Sequence, residues 1–315
     1  MSINNKNKKY MLGFFGVLTA VVIGVFFVNT VSSPPAKPLS PVNDNTAAEA
    51  SYVTVKDTEG NVILETGLPV YVNDEFIDEN NIHYIIFKID KKNAVARIKN
   101  SEASAPPPDK GLGFISPSIP AQARPHHVVI YHTHTDESYT PTSGKASEPG
   151  SGDVLQVGSV LKQSLNKTGI SATHSLNRHD PHDINAYHRS RRTLVQLLKE
   201  SPDAAFDIHR DSAPPEAYLT SINGVSTGRI MIVIGRSNPN MQTNLDYARR
   251  VKAAADTLYP GLTRGIFMGK GDYNQDLYPT ALLFEVGTEG ISQDEAEKAV
   301  YCLADTIAAV LAGQF

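Results

Sequence analysis

HVVIYHTHTDE, residues 127–137, starts as a short apolar, β-branched run and ends in polar residues with metal-seeking side chains. A run such as HVVIY reads as a strand buried on both faces, the pattern of a parallel sheet. The same grammar repeats downstream. Val154 to Lys167 carries apolar residues at helical spacing and stops at Gly169. Ala204 to Ile208, RIMIVIG (229–235), GIF (265–267) and ALLFEV (281–286) read as further strands, and Asn240 to Leu258 reads as a helix. Ser292 and Glu295 form a capping box, and the helix they open runs to about Leu311 before Gly313. Strands alternating with helices predict an α/β domain over 126–315, with a mainly parallel sheet covered by helices.

Upstream the composition changes. Met11 to Val31 contains no charged residue, and about 20 apolar residues cross a bilayer core of roughly 30 Å. Lys6, Lys8 and Lys9 precede it and no basic residue follows until Lys37. The positive-inside rule then places residues 1–10 in the cytoplasm, 11–31 in the membrane as a single pass, and the rest outside. A cleaved signal peptide is the competing reading, with a poor cleavage site at Asn29 to Ser33. Both readings export the chain. Residues 32–50 have linker composition, 51–100 read as a small β-rich membrane-proximal domain, and 101–125 form a Pro-rich linker.

Composition excludes several classes. With 29 basic and 33 acidic residues the chain offers no electrostatic case for nucleic acid. The single cysteine, Cys302, rules out an intramolecular disulfide and a Cys-rich zinc site. Ten histidines are unusual, and all but His83 fall between His126 and His209.

In open parallel sheets functional groups collect at the carboxyl ends of strands. The strand at 127–131 runs into His132, His134 and Glu137; AAFDI ends in His209; ALLF ends in Glu285. Catalytic zinc takes three protein ligands and leaves one position open. His134, Glu137 and His209 are the expected ligands, with His132 as the alternative to His134. Glu285 is the expected general base and acid, with Glu289 as its alternative. Asp211 is expected to orient a ligand His, or else to cap a turn. Arg210 and Arg236 are expected to bind substrate, with Asn238 and Asn240 lining the cleft or closing a turn. His126 and His127 read as surface, and His174, His179, His182 and His188 as loop or rim. Ser138 and Ser212 raise a serine-hydrolase reading, but no Gly-x-Ser-x-Gly elbow is present.

YHTHTDESY (131–139), DIHRDS (207–212), IGRSNPNMQTNLDYARRV (234–251) and LLFEVGTEG (282–290) resemble the stage II sporulation protein P family of cell-wall hydrolases. That family is related to zinc-dependent N-acetylmuramoyl-L-alanine amidases. The resemblance implies zinc on His134, Glu137 and His209, with Glu285 catalytic. Asn177-Arg178-His179-Asp180 is similar to a Thr-Arg-x-x-Asp stretch of the amidases. It also implies a peptidoglycan substrate, cut at the amide between N-acetylmuramic acid and L-alanine and at peptide cross-links. Septal wall remodelling and engulfment during sporulation follow, beside a lytic transglycosylase and a membrane protein. Glu137 lies closer to the first His than the amidase ligand does. A degenerate hydrolase fold that only binds or recruits is the alternative class.

Overall fold

The computed structural model describes residues 52–99, 125–183 and 185–315. The expected cytoplasmic tail, membrane span and first linker, and the Pro-rich linker up to residue 124, lie outside the described residues. Among the described residues no helix is long and apolar enough to cross a membrane.

The first strands are β1 (Val53–Lys56), β2 (Val62–Thr66), β3 (Glu75–Asp78), β4 (His83–Asp90) and β5 (Asn93–Ile98). Then come β6 (His127–Tyr131), the single turn α1 (Thr140–Ser143), α2 (Val154–Lys167), β7 (Ser171–His174), α3 (Ala186–Leu197) and β8 (Ala204–Asp211). A β9 (Leu219–Ile222) and β10 (Val225–Gly228) hairpin stands apart. After it follow β11 (Ile230–Gly235), α4 (Met241–Leu258), β12 (Thr263–Gly269), β13 (Ala281–Thr288) and α5 (Gln293–Leu311). Among the described residues eleven strands form one sheet in the order β2-β1-β5-β4-β3-β12-β11-β13-β8-β6-β7.

Strands β7, β6, β8 and β13 run parallel to one another, as do β11 and β12. The β11–β13 pair is antiparallel. The expectation of a mainly parallel sheet therefore holds over 126–315, with one reversal that matters for the site. Segment 51–100, expected as a domain to itself, extends this sheet instead. Its β3 pairs antiparallel with β12, Phe76 opposite Phe267, and Val55, Leu64, Phe76 and Ile86 join the main core.

Alternation along β6 sends its side chains to two layers. Val128 and Ile130 join the main core with Val157 and Leu161 of α2 and Leu303 of α5. Val129 and Tyr131 pack with Leu194 and Leu197 of α3 on the other face. Helix α2 buries Val154, Val157, Gly158, Leu161 and Leu165, the 3–4 spacing of one helical face. Gly158 permits the close approach: a Cβ there would lie 2.5 Å from His132 Nε2. Helix α5 opens on the expected capping box, in which Glu295 accepts from the Ser292 amide and Ser292 accepts from the Glu295 amide.

Candidate metal centre

The chain leaves the sheet directly after β6, and Thr133 fixes how it leaves. Its amide donates to Asp207 Oδ1 (2.8 Å) and its hydroxyl to Asp207 Oδ2 (2.6 Å), on neighbouring β8. His134 and Glu137 then fall on one turn beside His209. Ligand atoms of His134, Glu137 and His209 all lie within 4.8 Å of one another. Glu137 Oε1 sits 3.2 Å from His134 Nδ1 and 3.4 Å from His209 Nδ1, while its Oε2 accepts from the Arg210 amide at 3.0 Å. The three predicted ligands are therefore brought together.

The buried acids and imidazoles of the cluster shift one another strongly. Burial opposes ionisation of Glu137, yet the imidazoles of His209 and His134 outweigh it and hold the carboxyl well below its ordinary range. Burial likewise works against charging His209, but Asp207 and Glu137 prevail and raise it well above an ordinary histidine. Burial lowers His134. His209 Nε2 lies 3.0 Å from Asp207 Oδ1 but outside hydrogen-bond geometry. Two imidazoles and one carboxylate, with further buried acid beside them, are a donor set that suits zinc.

Glu285 is the register partner of His209 in the parallel β8–β13 ladder. Residues paired in this way project to the same face of the sheet. Glu285 is buried, its Oε2 has no hydrogen-bond partner, and burial raises its pKa well above the ordinary value. A carboxyl raised in this way holds its proton more tightly than an exposed one, the direction a general acid and base needs.

Four expectations require correction. His132 is not a ligand: its Nδ1 faces the Ile208 carbonyl (2.8 Å) and its Nε2 faces His174 Nε2 (2.7 Å), so both ring nitrogens are spent. Asp211 does not orient a ligand. It accepts from the Gly67 and Ser212 amides and the Tyr218 hydroxyl, tying the β2 end to β8. Asp207 holds the position expected of Asp211. Arg210 is used internally, donating to the carbonyls of Ser138 (3.2 Å) and Ala146 (2.7 Å). Arg236 follows β11, which runs against β13, so it emerges about 17 Å along the strand from Met231, the partner of Glu285. Its guanidinium pairs with buried Asp74 at 2.7 Å.

The other candidates are structural. Glu289 accepts from Ser212 and Thr288. Asn238 donates to the Gly235 carbonyl, and Asn240 to those of Gln275 and Asp276. Ser138 is a buried link to the Asp153 amide. His126 and His127 lie at the edge against Asp203 and Glu200. His179 is buried, between the His132 carbonyl and Thr193.

Sequence reasoning missed three residues around the centre. Asp207 stands two positions before His209, a spacing that puts both on one face of a strand and was readable. His182 stacks on His134, ring centroids 3.7 Å apart, and is held by Asp136 at 3.1 Å. Tyr187 lies against both imidazoles, 5.6 Å from His134 and 6.5 Å from His209. Nothing local in the sequence announces either contact.

Comparison with known proteins gives a family and several relatives. The sequence model of Stage II sporulation protein P (SpoIIP) matches residues 47–308. A "Stage II sporulation protein P" of Bacillus subtilis (strain 168) is 32% identical over 197 residues, covering 56% of this chain and 49% of the relative. The chain thus matches about half of that relative's length. Among solved structures, the CwlD amidase of Clostridioides difficile in complex with the GerS lipoprotein is similar with a TM-score of 0.43 and 11% identity. That match covers 60% of this chain and 99% of the other. An N-acetylmuramoyl-L-alanine amidase of Clostridium difficile 630 gives 0.38 and 19% identity, over 61% and 97% of the two chains.

Proposed function

Because the chain belongs to the stage II sporulation protein P family, we propose that it is a zinc-dependent peptidoglycan hydrolase of sporulation. The substrate bond is the amide between N-acetylmuramic acid and L-alanine, with peptide cross-links as a second class. The sequence of residues 1–31 supports a protein held in the cell membrane by one N-terminal helix, its hydrolase domain outside. Septal wall remodelling and engulfment are the setting, and a lytic transglycosylase and a membrane protein are the partners.

One observation carries the reading: two imidazoles and a carboxylate converge, and an unpartnered buried carboxyl stands across the ladder from one of them. His134, Glu137 and His209 would hold zinc, which when bound supplies Lewis acidity toward a carbonyl and lowers the pKa of water. Asp207 fixes the His209 ring by lying beside Nε2, leaving Nδ1 toward Glu137. The Arg210 amide fixes Glu137 through Oε2. Glu285 takes the proton from the attacking water and returns it to the leaving amine nitrogen, a task that needs a pKa near the working pH. Burial raises its pKa above the ordinary carboxyl value, the direction that task requires.

The test is digestion of purified peptidoglycan by the full chain with zinc, with chelator, and with zinc restored, followed by mass analysis of the fragments. Release of free stem peptides only with metal, and about one bound zinc per chain, supports the reading. Full activity in chelator rejects it.

A further inference from the structure

Two surfaces of opposite chemistry flank the metal centre. On one side stands Tyr273, in the loop after β12. Its ring meets Tyr187 edge-on, centroids 5.6 Å apart, and Tyr187 in turn meets His134 and His209. Tyr273 and Asn274 both adopt positive φ, 50° and 58°, a conformation that asparagine takes readily but tyrosine only when its surroundings enforce it. Here the surroundings are α3. The buried Asn274 amide donates to the Tyr187 carbonyl (3.2 Å) and to Ser190 (3.0 Å), and Arg191 grips Asp276 through two bonds. The turn is strained to hold this ring beside the centre. Neither phenol hydroxyl has a protein partner among the described residues. The charged groups nearest this side are mostly acidic, namely Asp207, Glu285, Glu137 and Asp74, with Arg236 already paired to Asp74.

On the other side, in the segment after β7 and along α3, a polar groove of about 390 Å³ is lined by residues that include Asn177, Arg178, His179, Arg189 and Arg192. Arg189 is committed to the carbonyls of His179 and Pro181 and to Asp183. That clamp forms the 179–183 turn, which presents His182 to His134 and so joins groove and centre. Arg178 and Arg192 make no ion pair or hydrogen bond among the described residues, and both are exposed. Two free guanidinium groups beside a polar groove suit carboxylates.

We propose that the cleft is directional. The uncharged N-acetylated sugar of the substrate packs on Tyr273 and Tyr187, and the carboxylate-bearing peptide runs along α3 to Arg178 and Arg192. The assignment deepens the hydrolase reading and rests on it for the identity of the substrate. Ring faces with free hydroxyls bind a neutral sugar by contact area and hydrogen bonds. The tyrosine side offers a carboxylate no unpaired cation, since Arg236 is bound to Asp74, and the arginines attract it to the other.

Binding to the metal-free full chain tests this without turnover. The probes are N-acetylmuramamide, the uncharged amide of the sugar acid, and a free stem peptide with its carboxylates intact, each titrated by calorimetry. Tyr273→Ala should weaken the sugar amide about tenfold and leave the peptide unchanged. Arg178→Gln with Arg192→Gln should weaken the peptide about tenfold or more and leave the sugar amide unchanged. Salt should weaken only the peptide. Tyr273→Phe, which keeps the ring, guards against misfolding of the alanine variant and should retain most sugar binding. Equal losses of both probes in either variant, a crossed pattern, or no loss in a variant with unchanged circular dichroism overturns the proposal. Wild-type chain that binds both probes in this pattern yet cleaves nothing with zinc would reject the hydrolase reading and leave the two surfaces standing.

Discussion

Glu285 and His209 face each other across the parallel β8–β13 ladder, one carboxyl and one imidazole on a single face of the sheet. The pair explains why a carboxyl is left with an unpartnered, buried oxygen. Such a buried carboxyl is costly to the fold once ionised, because burial raises its pKa well above the ordinary value. The linkage has a definite sign. The unfolded chain loses this proton first, so the stability associated with Glu285 is full at acid pH and falls as pH rises past the unfolded value of about 4.3. Glu285→Gln should therefore melt higher than wild type at pH 7 in metal-free protein. Its turnover should fall about 10²- to 10⁴-fold, with zinc affinity retained. Melting curves, steady-state rates and zinc titrations check the three parts separately, and an unchanged rate would remove Glu285 from the chemistry.

Asp207 is the residue on which the geometry of the His134, Glu137 and His209 cluster depends. It receives both Thr133 hydrogen bonds and lies beside His209 Nε2, so it sets the exit of β6 and the orientation of the β8 imidazole together. Asp207→Asn keeps the shape but loses the charge. Zinc affinity should drop about 10- to 100-fold, measured by competition with a chromophoric chelator. Asp211→Asn, which touches no ligand, should leave zinc affinity within about threefold and show its effect in thermal stability.

The contrast between those two aspartates shows what the sequence made legible. Strand β6 and helix α2 form at the expected residues, and β8, β11, α4, β12, β13 and α5 within a few, because each carries a clear period or a clear cap. Helix α3 escaped because AYHRSRRTLVQL buries only Ala186, Ser190, Thr193, Leu194 and Leu197, a stripe too polar to announce itself. The β9–β10 hairpin turns on Asn223-Gly224, both at positive φ, a signal that was present and passed over. The convergence of His134, Glu137 and His209 was legible because strand ends concentrate such groups. Arg236 was misplaced because strand direction is a property of the whole sheet: nothing within RIMIVIG states that β11 runs against β13. Arg210 was misread for a related reason, since the carbonyls it binds belong to a loop whose path no local pattern fixes.

Arg210 gives the third prediction. Its amide holds Glu137 and its guanidinium holds the carbonyls of Ser138 and Ala146, so the side chain staples the loop that presents a ligand. Arg210→Gln keeps the amide and loses the staple. Melting temperature and zinc affinity should both fall, the stability loss being about 1–3 kcal/mol for carbonyls left without a donor. The Michaelis constant for anionic and amidated substrates should change by the same factor. A selective loss on the anionic substrate would restore Arg210 to a substrate-binding role.

The histidine pair behind the centre makes acid the weak side of this fold. His132 Nδ1–H donates to the Ile208 carbonyl, so His132 Nε2 accepts from His174 Nε2–H at 2.7 Å. His132 takes no second proton without breaking that contact, and burial opposes a second proton on His174 Nδ1. Burial lowers His132 to about 4 and, with the neighbouring His132 adding to it, His174 to about 3. Unfolded histidines titrate near 6.5, so between about pH 6.5 and the folded values the unfolded chain binds more protons. The stability these groups confer is present above pH 6.5 and is lost as pH falls toward 4. Each pKa unit is worth about 1.4 kcal/mol, so the loss should reach several kcal/mol by pH 4. His174→Gln keeps a donor for His132 Nε2 and removes one titrating group. Urea midpoints recorded from pH 7.5 to 4.5 should therefore fall less steeply for the variant than for wild type, and parallel slopes would show that His174 titrates normally in the folded chain.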